Sequence, residues 1–268
     1  TSARTAPTDF RSIADYALAV GAEFTDLGSV NPVLPMTPSY RWTVDGTGIW
    51  YPWTDVISGV VLEAPGSAPF CELPTSDWTK GYIKFATGSN KKLTGTIPNS
   101  SWGTFTVYLV AALNATGSFQ RTLLELTNFV AARMGATNKV RISGWNSGYA
   151  DFVISDFLPH IFAFSVSDLG ASASGLTIWM DGVFVGSVLI DPPRYTSNIT
   201  LTIGDAYSGS NNGEIRLGDL VVFKGSLFDV GGTNDVNTIK YLRWYHFGEI
   251  PLPNAFNAGS AWLDNNPI

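Results

Sequence analysis

Over most of the chain, apolar and polar positions alternate in short runs, the two-residue period of a half-buried strand. In GYIKFATG (81–88), Tyr82, Lys84 and Ala86 share one face, and Ile83 and Phe85 the other. KLTGTI (92–97) alternates likewise, and residues 40–44 and 48–51 read as short aromatic strands. GTFTVYLVAAL (103–113) is the longest strand and is expected at the centre of a sheet. RTLLELT, FVAARMG and KVRISGW follow as consecutive short strands, and HIFAFSVS (160–167) as a buried one. The clearest hairpin is GLTIWMDGVFVGSVLI (175–190), because Asp181-Gly182 supplies the positive φ angles that a tight turn needs. ITLTIGDA (199–206) and GEIRLGDLVVFKG (213–225) complete the pattern.

The period changes at both ends. Phe10, Ile13, Ala17, Val20 and Phe24 recur at helical spacing, so a short amphipathic helix is expected over 9–20, with Thr8 as a cap. A Pro-bearing connector follows to residue 38. Two placements fit this arm: packed on its own domain, or docked on a neighbouring subunit. In DVNTIKYLRWYHF (235–247), Val236, Ile239, Leu242 or Arg243, and Tyr245 or His246 fall on one helical face. Asp235 is the expected cap of that helix and Gly248 its end. The tail from Glu249 carries Pro251, Pro253 and Pro267 and is expected to be extended. The expected organisation is therefore an N-terminal helix and arm (1–38), a β-domain (39–248) and a C-terminal tail (249–268).

Composition agrees with an all-β class. The 268 residues include 16 Phe, 10 Tyr, 9 Trp, 27 Gly and 15 Pro, and only 14% are charged. Aromatics suit a pleated surface, while Gly and Pro punctuate turns. A net charge of −6 argues against nucleic acid as the main partner, since phosphate binding needs a basic surface. Lys91-Lys92 is the one adjacent basic pair and reads as a solvated strand end. Cys71 stands alone, so no intrachain disulfide forms, and an inert packed thiol is expected. The first ten residues are polar and carry Arg4 and Pro7, so no secretory leader is expected there. Sequon matches at Asn99, Asn114 and Asn198 carry no weight in a chain this rich in Asn, Ser and Thr.

The stretch HIFAFSVSDLGASASGLTIWMDGVFVGSVLI, then LTIGDAYSGSNNGEIRLGDLVVFKGSL, then VNTIKYLRWYHFG resembles the concanavalin A-like lectin/glucanase superfamily in its laminin G-like branch. A strand ending in Asp-Gly, a returning strand, a strand ending in IG, a Gly- and Asn-rich loop and a GxIxLxDLVVF strand occur in that order, before a short helix. The opening strands GYIKFATGSNKKLTGTI and WGTFTVYLVAAL are similar too. The resemblance covers about residues 45–248. It implies an antiparallel two-sheet β-sandwich, a jelly roll, with a short helix at each end. Members include carbohydrate-binding modules, adhesins, glucanases and phage or viral structural proteins.

Chemistry is sparse in the sequence. Retaining glucanases need two carboxylates about 5–5.5 Å apart, commonly two residues apart on one strand, and no such run occurs here. Glu125 stands alone, and Glu214 and Asp219 are expected on opposite faces of a regular strand. His160 and His246 read as structural, because no G-x-S-x-G elbow accompanies them. No cofactor is expected, calcium being the one ion the residues could hold, through Asp205 and the loop to Gly213, with Asp151 and Asp156 as further oxygen donors. Conformational use of Asn, Asp and Gly is the favoured account of that loop. Trp145, Asn146 and Tyr149 in GWNSGY, and Tyr207 and Asn211 in GDAYSGSNNG, are the candidate glycan-binding residues, provided that the two loops meet. Trp102, Trp179 and Trp244 are expected in core or helix packing.

The sequence reading is thus a non-catalytic virion-surface or appendage protein whose sandwich binds host glycans, located on a virion or outside a cell. It is expected to form a homo-oligomer through residues 1–38. A stand-alone carbohydrate-binding or adhesion module is the alternative, and a glycoside hydrolase a third reading.

Overall fold

The structure is a computed structural model. It describes residues 37–46, 52–66, 68–86, 91–98, 104–114, 122–126, 130–135, 139–144, 149–154, 157–168, 174–190, 198–204, 214–225 and 233–249. The expected N-terminal helix, the strand at 48–51 and the C-terminal tail beyond Glu249 lie outside those residues.

The described residues form antiparallel strands and one helix. In the first third come β1 (Tyr40–Thr43), β2 (Trp53–Thr54), β3 (Val61–Leu62), β4 (Phe70–Glu72), β5 (Tyr82–Phe85) and β6 (Leu93–Ile97). Then follow β7 (Phe105–Asn114), β8 (Thr122–Leu126), β9 (Val130–Gly135), β10 (Lys139–Gly144) and β11 (Tyr149–Val153). The last are β12 (Pro159–Asp168), β13 (Ser174–Met180), β14 (Val183–Ile190), β15 (Ile199–Ile203), β16 (Glu214–Lys224) and the helix α1 (Thr233–Phe247).

Two large sheets result. One runs β14-β13-β12-β7-β16-β5-β4, with β1 also on β16, and the other runs β11-β10-β9-β8-β15-β6. β2 and β3 form a small hairpin apart. The expected central position of 103–113 is realised, since β7 pairs with β12 and β16.

Why β7 is apolar without alternation is now plain: both of its faces are covered. Val107, Leu109, Ala111 and Leu113 enter the core shared with the six-stranded sheet, beside Leu93, Leu124, Leu201 and Ile203. Tyr108, Val110 and Ala112 point the other way, into a second cluster under α1 that includes Ile239, Leu242 and Trp78. β5 divides as its sequence predicts, with Ile83 and Phe85 in the first cluster and Tyr82 in the second. A buried aliphatic or aromatic side chain contributes about 1.5–3 kcal/mol, so helix docking rests on these outer-face residues.

Two turns follow the sequence closely. Asp181 and Gly182 have φ of 52° and 82°, which gives the tight turn between β13 and β14. α1 stops at Gly248, whose φ of 68° lets its N–H reach the Trp244 carbonyl at 3.1 Å. Asp235 departs from expectation. The helix begins at Thr233, so Asp235 sits inside the first turn, and its carboxylate accepts a 2.8 Å bond from the Tyr108 hydroxyl. Contact with the sheet below, rather than end-capping, is its task.

Candidate functional site

The carboxylates of β16 require a correction. On a regular strand Glu214 and Asp219 would face opposite ways, but the pairing with β7 shifts register between Leu217 and Asp219. Gly218 is the extra residue of that bulge. Ile215 and Leu217 before it, and Leu220 and Val222 after it, all enter the inter-sheet core. Glu214 and Asp219 therefore share the outer face. Their partners Asn114 and Val110 lie four residues apart on β7, so roughly 13 Å of strand rise separates the two acids. That is too far for paired-carboxylate hydrolysis. Glu214 is moreover engaged by Arg216 Nε at 2.9 Å.

Asp219 belongs to a buried polar cluster that pattern reading missed. Arg41 on β1 donates to it through Nη2 at 2.7 Å and through Nε at 3.2 Å to the same oxygen. His246, near the end of α1, places Nε2 at 3.0 Å from Oδ2. Arg41 also donates to the Tyr241 hydroxyl at 2.7 Å and stacks over the rings of Tyr241 and Tyr245. Burial pushes the Asp219 carboxyl upward, but Arg41 and then His246 outweigh it, and it rests below the ordinary carboxylate value. Burial holds His246 below its ordinary value despite Asp219, with Arg41 and Lys80 acting in the same direction as burial. The ring is thus neutral at pH 7 and donates from Nε2, which leaves Nδ1 as a buried acceptor with no hydrogen-bond partner. The cluster ties β1 and α1 to β16. The sequence signal for it was a charged residue, Asp219, set directly before the apolar run Leu220 to Phe223 of β16.

A second constellation surrounds the β13–β14 turn. Asp181 Oδ2 is 2.6 Å from His160 Nδ1, and Oδ1 accepts the Ile161 N–H at 2.9 Å. Arg243 grips Glu249 through Nε at 2.6 Å and Nη2 at 2.8 Å, and its Nη1 lies 3.9 Å from Asp181. Burial lowers Arg243, but Glu249 and Asp181 carry its value above the ordinary one. Trp179, expected in packing, lies half-buried at the rim of the helix-covered cluster, with Phe184 edge-on at 5.9 Å. His160 and His246 thus both hold secondary structure together.

Of the candidate glycan residues, Tyr149 is described. It begins strand β11 rather than lying in a loop, and it is 59% exposed. Trp145, Asn146, Tyr207 and Asn211 lie outside the described residues, as do Trp102 and the calcium candidates Asp205 and Asp156. Asp151 lies on β11, in register with Arg141. Among the described residues no group of three metal-ligating side chains occurs. The condition that the two loops meet gains no support from register. Gly144 and Tyr149, which flank the first loop, lie at the end of the six-stranded sheet marked by Val130 and Leu126. Gly204, before the second, bonds to the Thr122 carbonyl at the opposite end.

No protein-family profile matches the sequence, and no curated protein does. Solved structures do. The receptor-binding domain of botulinum neurotoxin type G superposes with a TM-score of 0.54 and 13% identity, over 77% of this chain and 51% of that one. The binding domain of serotype D gives 0.56 and 10%, over 80% and 52%. The binding domain of neurotoxin DC, solved in complex with rat synaptotagmin II, gives 0.54 and 13%, over 76% and 51%. A further DC structure is a complex with SialylT. The present chain spans about half the length of those domains, and at this identity the likeness is one of fold.

Proposed function

We propose that this chain is a non-catalytic binding module on a laminin G-like, concanavalin A-like jelly roll, and that it recognises glycans displayed on a surface. The observation that carries the reading is the fold likeness to several receptor-binding domains across about three-quarters of the chain. One of those domains was solved with SialylT. The exposed ring of Tyr149, beside the segment that holds Trp145 and Asn146, offers the flat apolar surface against which a sugar face stacks. Tyr207 and Asn211, which follow Gly204 in the sequence, are a separate candidate contact. The wide spacing of Glu214 and Asp219 supports binding over hydrolysis.

A glycan array with the intact chain tests this. Retention on one glycan class, lost in Trp145→Ala and Tyr149→Ala while the melting temperature holds, supports the reading. Failure to retain any glycan would remove it, and release of reducing sugar from a polysaccharide would replace it with a hydrolase.

A virion-surface or extracellular appendage is the second reading. The exposed apolar residues along β11 and β14, Tyr149, Val153, Val183, Phe184 and Leu189, favour it, because such strips suit subunit assembly. Antibody labelling of purified particles tests it, and its absence from every particle would exclude it. Among the described residues no helix is long and apolar enough to cross a membrane.

A further inference from the structure

In a chain of net charge −6, three basic residues gather at one end of the larger sheet. Phe70 on β4 pairs with Lys84 on β5, and Lys84 pairs with Arg216 on β16. Their neighbours Cys71, Ile83, Ile215 and Leu217 pack into the inter-sheet core, so this row occupies the outer face. Adjacent strands lie about 4.8 Å apart, and the row therefore spans roughly 10 Å. Lys91, which precedes β6, sets its Nζ 3.7 Å from the centre of the Phe70 ring. The ring is still 51% exposed.

Like charges directly opposite on neighbouring strands destabilise a sheet, and Lys84 and Arg216 stand in that relation. Glu214 serves both. It accepts from Arg216 Nε at 2.9 Å and lies 3.9 Å from Lys84 Nζ, too far for a hydrogen bond. Glu72, a further acid on this face, stands opposite Tyr82. Among the described residues, Arg216 Nη1 and Nη2, Lys84 Nζ and Lys91 Nζ have no hydrogen-bond partner. The guanidinium is nevertheless held in place, 4.3 Å from the centre of the Phe157 ring and 5.2 Å from that of Tyr82. A planar fork fixed in this way loses little freedom when it takes an oxyanion.

Spare cationic donors, a carboxylate acceptor and an exposed ring thus converge on a patch about as long as a disaccharide. Glu214 can accept a hydroxyl, which a sugar offers and the phosphodiester chain of DNA does not. The cations outnumber the acid that bridges them, so a neutral sugar would leave them unmatched. We propose that this face binds an acidic saccharide, one that carries carboxylate or sulfate groups. Its oxyanion lies among Lys84, Lys91 and Arg216, and its ring rests against Phe70. The inference takes its ligand class from the glycan reading and names a surface on the other sheet from Tyr149.

Titration calorimetry of the intact chain tests this with a heparin tetrasaccharide, neutral maltotetraose, inorganic sulfate and a short DNA oligonucleotide. The heparin tetrasaccharide should bind more tightly than the other three, and its affinity should fall as salt rises. Lys84→Gln and Phe70→Ala should each weaken it about tenfold. Lys224→Gln, which removes a charge from the far end of β16, should not. Lysine acetylation of the unaltered chain gives a reading that needs no variant: the tetrasaccharide should protect Lys84 and Lys91 but not Lys224. Equal binding of sulfate, or tighter binding of DNA, overturns the saccharide assignment. Heparin binding that leaves Lys84 and Lys91 open to acetylation overturns the surface. Retention of neutral glycans without heparin binding overturns this inference alone, and binding of neither removes the glycan reading with it.

Discussion

The Asp219 carboxylate stands 3.0 Å from His246 Nε2, and solvent reaches neither side chain. One carboxylate thereby serves both the Arg41 guanidinium and the histidine that anchors the end of α1. Asp219→Asn leaves Arg41 charged and underpaired inside the protein. Breaking a buried pair in this way costs about 3–5 kcal/mol, read as a lowered urea midpoint. Changing both Arg41 and Asp219 to leucine should cost less than the single change, because no uncompensated charge remains. An equal or greater loss would show that the pair contributes more than mutual neutralisation.

Two groups on α1 respond to acid in opposite senses. Burial raises Asp235 to about 6, against the opposing bond from Tyr108. Its folded value exceeds its unfolded one, so its stabilisation is complete below the ordinary carboxylate range and lost as pH rises through about 6. His246 is held below its ordinary 6.5, so its contribution is present above that value and lost as pH falls through the folded one. Asp235→Asn should therefore gain on the unaltered chain between pH 4 and 7, by about 1–2 kcal/mol after allowance for partial exposure. His246→Gln should flatten the acid limb instead. Denaturant titrations at several pH values read both slopes, and parallel curves for all three chains would contradict the assignment.

Gly218 sits where the β16 bulge meets the helix. A Cβ there would lie 2.6 Å from Trp78 Cζ3 and 2.9 Å from His246 Nδ1. Both rings are packed, so neither yields easily, and Gly218→Ala should cost about 1–3 kcal/mol. Thermal melting measures it. Gly225→Ala is no neutral control, because its φ of 99° would strain any side chain, whereas Gly186 has open space and ordinary φ. Gly186→Ala should leave the melt nearly unchanged.

Asp181 combines a positive φ of 52° with bonds to His160 and to the Ile161 N–H. Asp181→Ala removes the acceptors and leaves a residue that tolerates that backbone poorly. A loss of about 1–3 kcal/mol is expected. Asp181→Asn should lose less, since Asn accepts the positive φ and keeps one acceptor oxygen. Equal losses would mean that the carboxylate charge dominates.

The sequence alone carried the strand order of the chain's second half, the Asp181-Gly182 turn and the stop of the last helix at Gly248. These are local matters: side-chain alternation, positive φ and helical spacing operate within a few residues. What only the tertiary structure decided depends on partners far away in the chain. The bulge at Gly218 reverses which face Asp219 takes, and period counting cannot see it because one inserted residue changes parity without changing composition. Arg41 and Asp219 are 178 residues apart, so their pairing left no spacing signature. Likewise, the place of β14 at the end of the larger sheet, among the described strands, emerges only from the pairing of strands far apart in the chain.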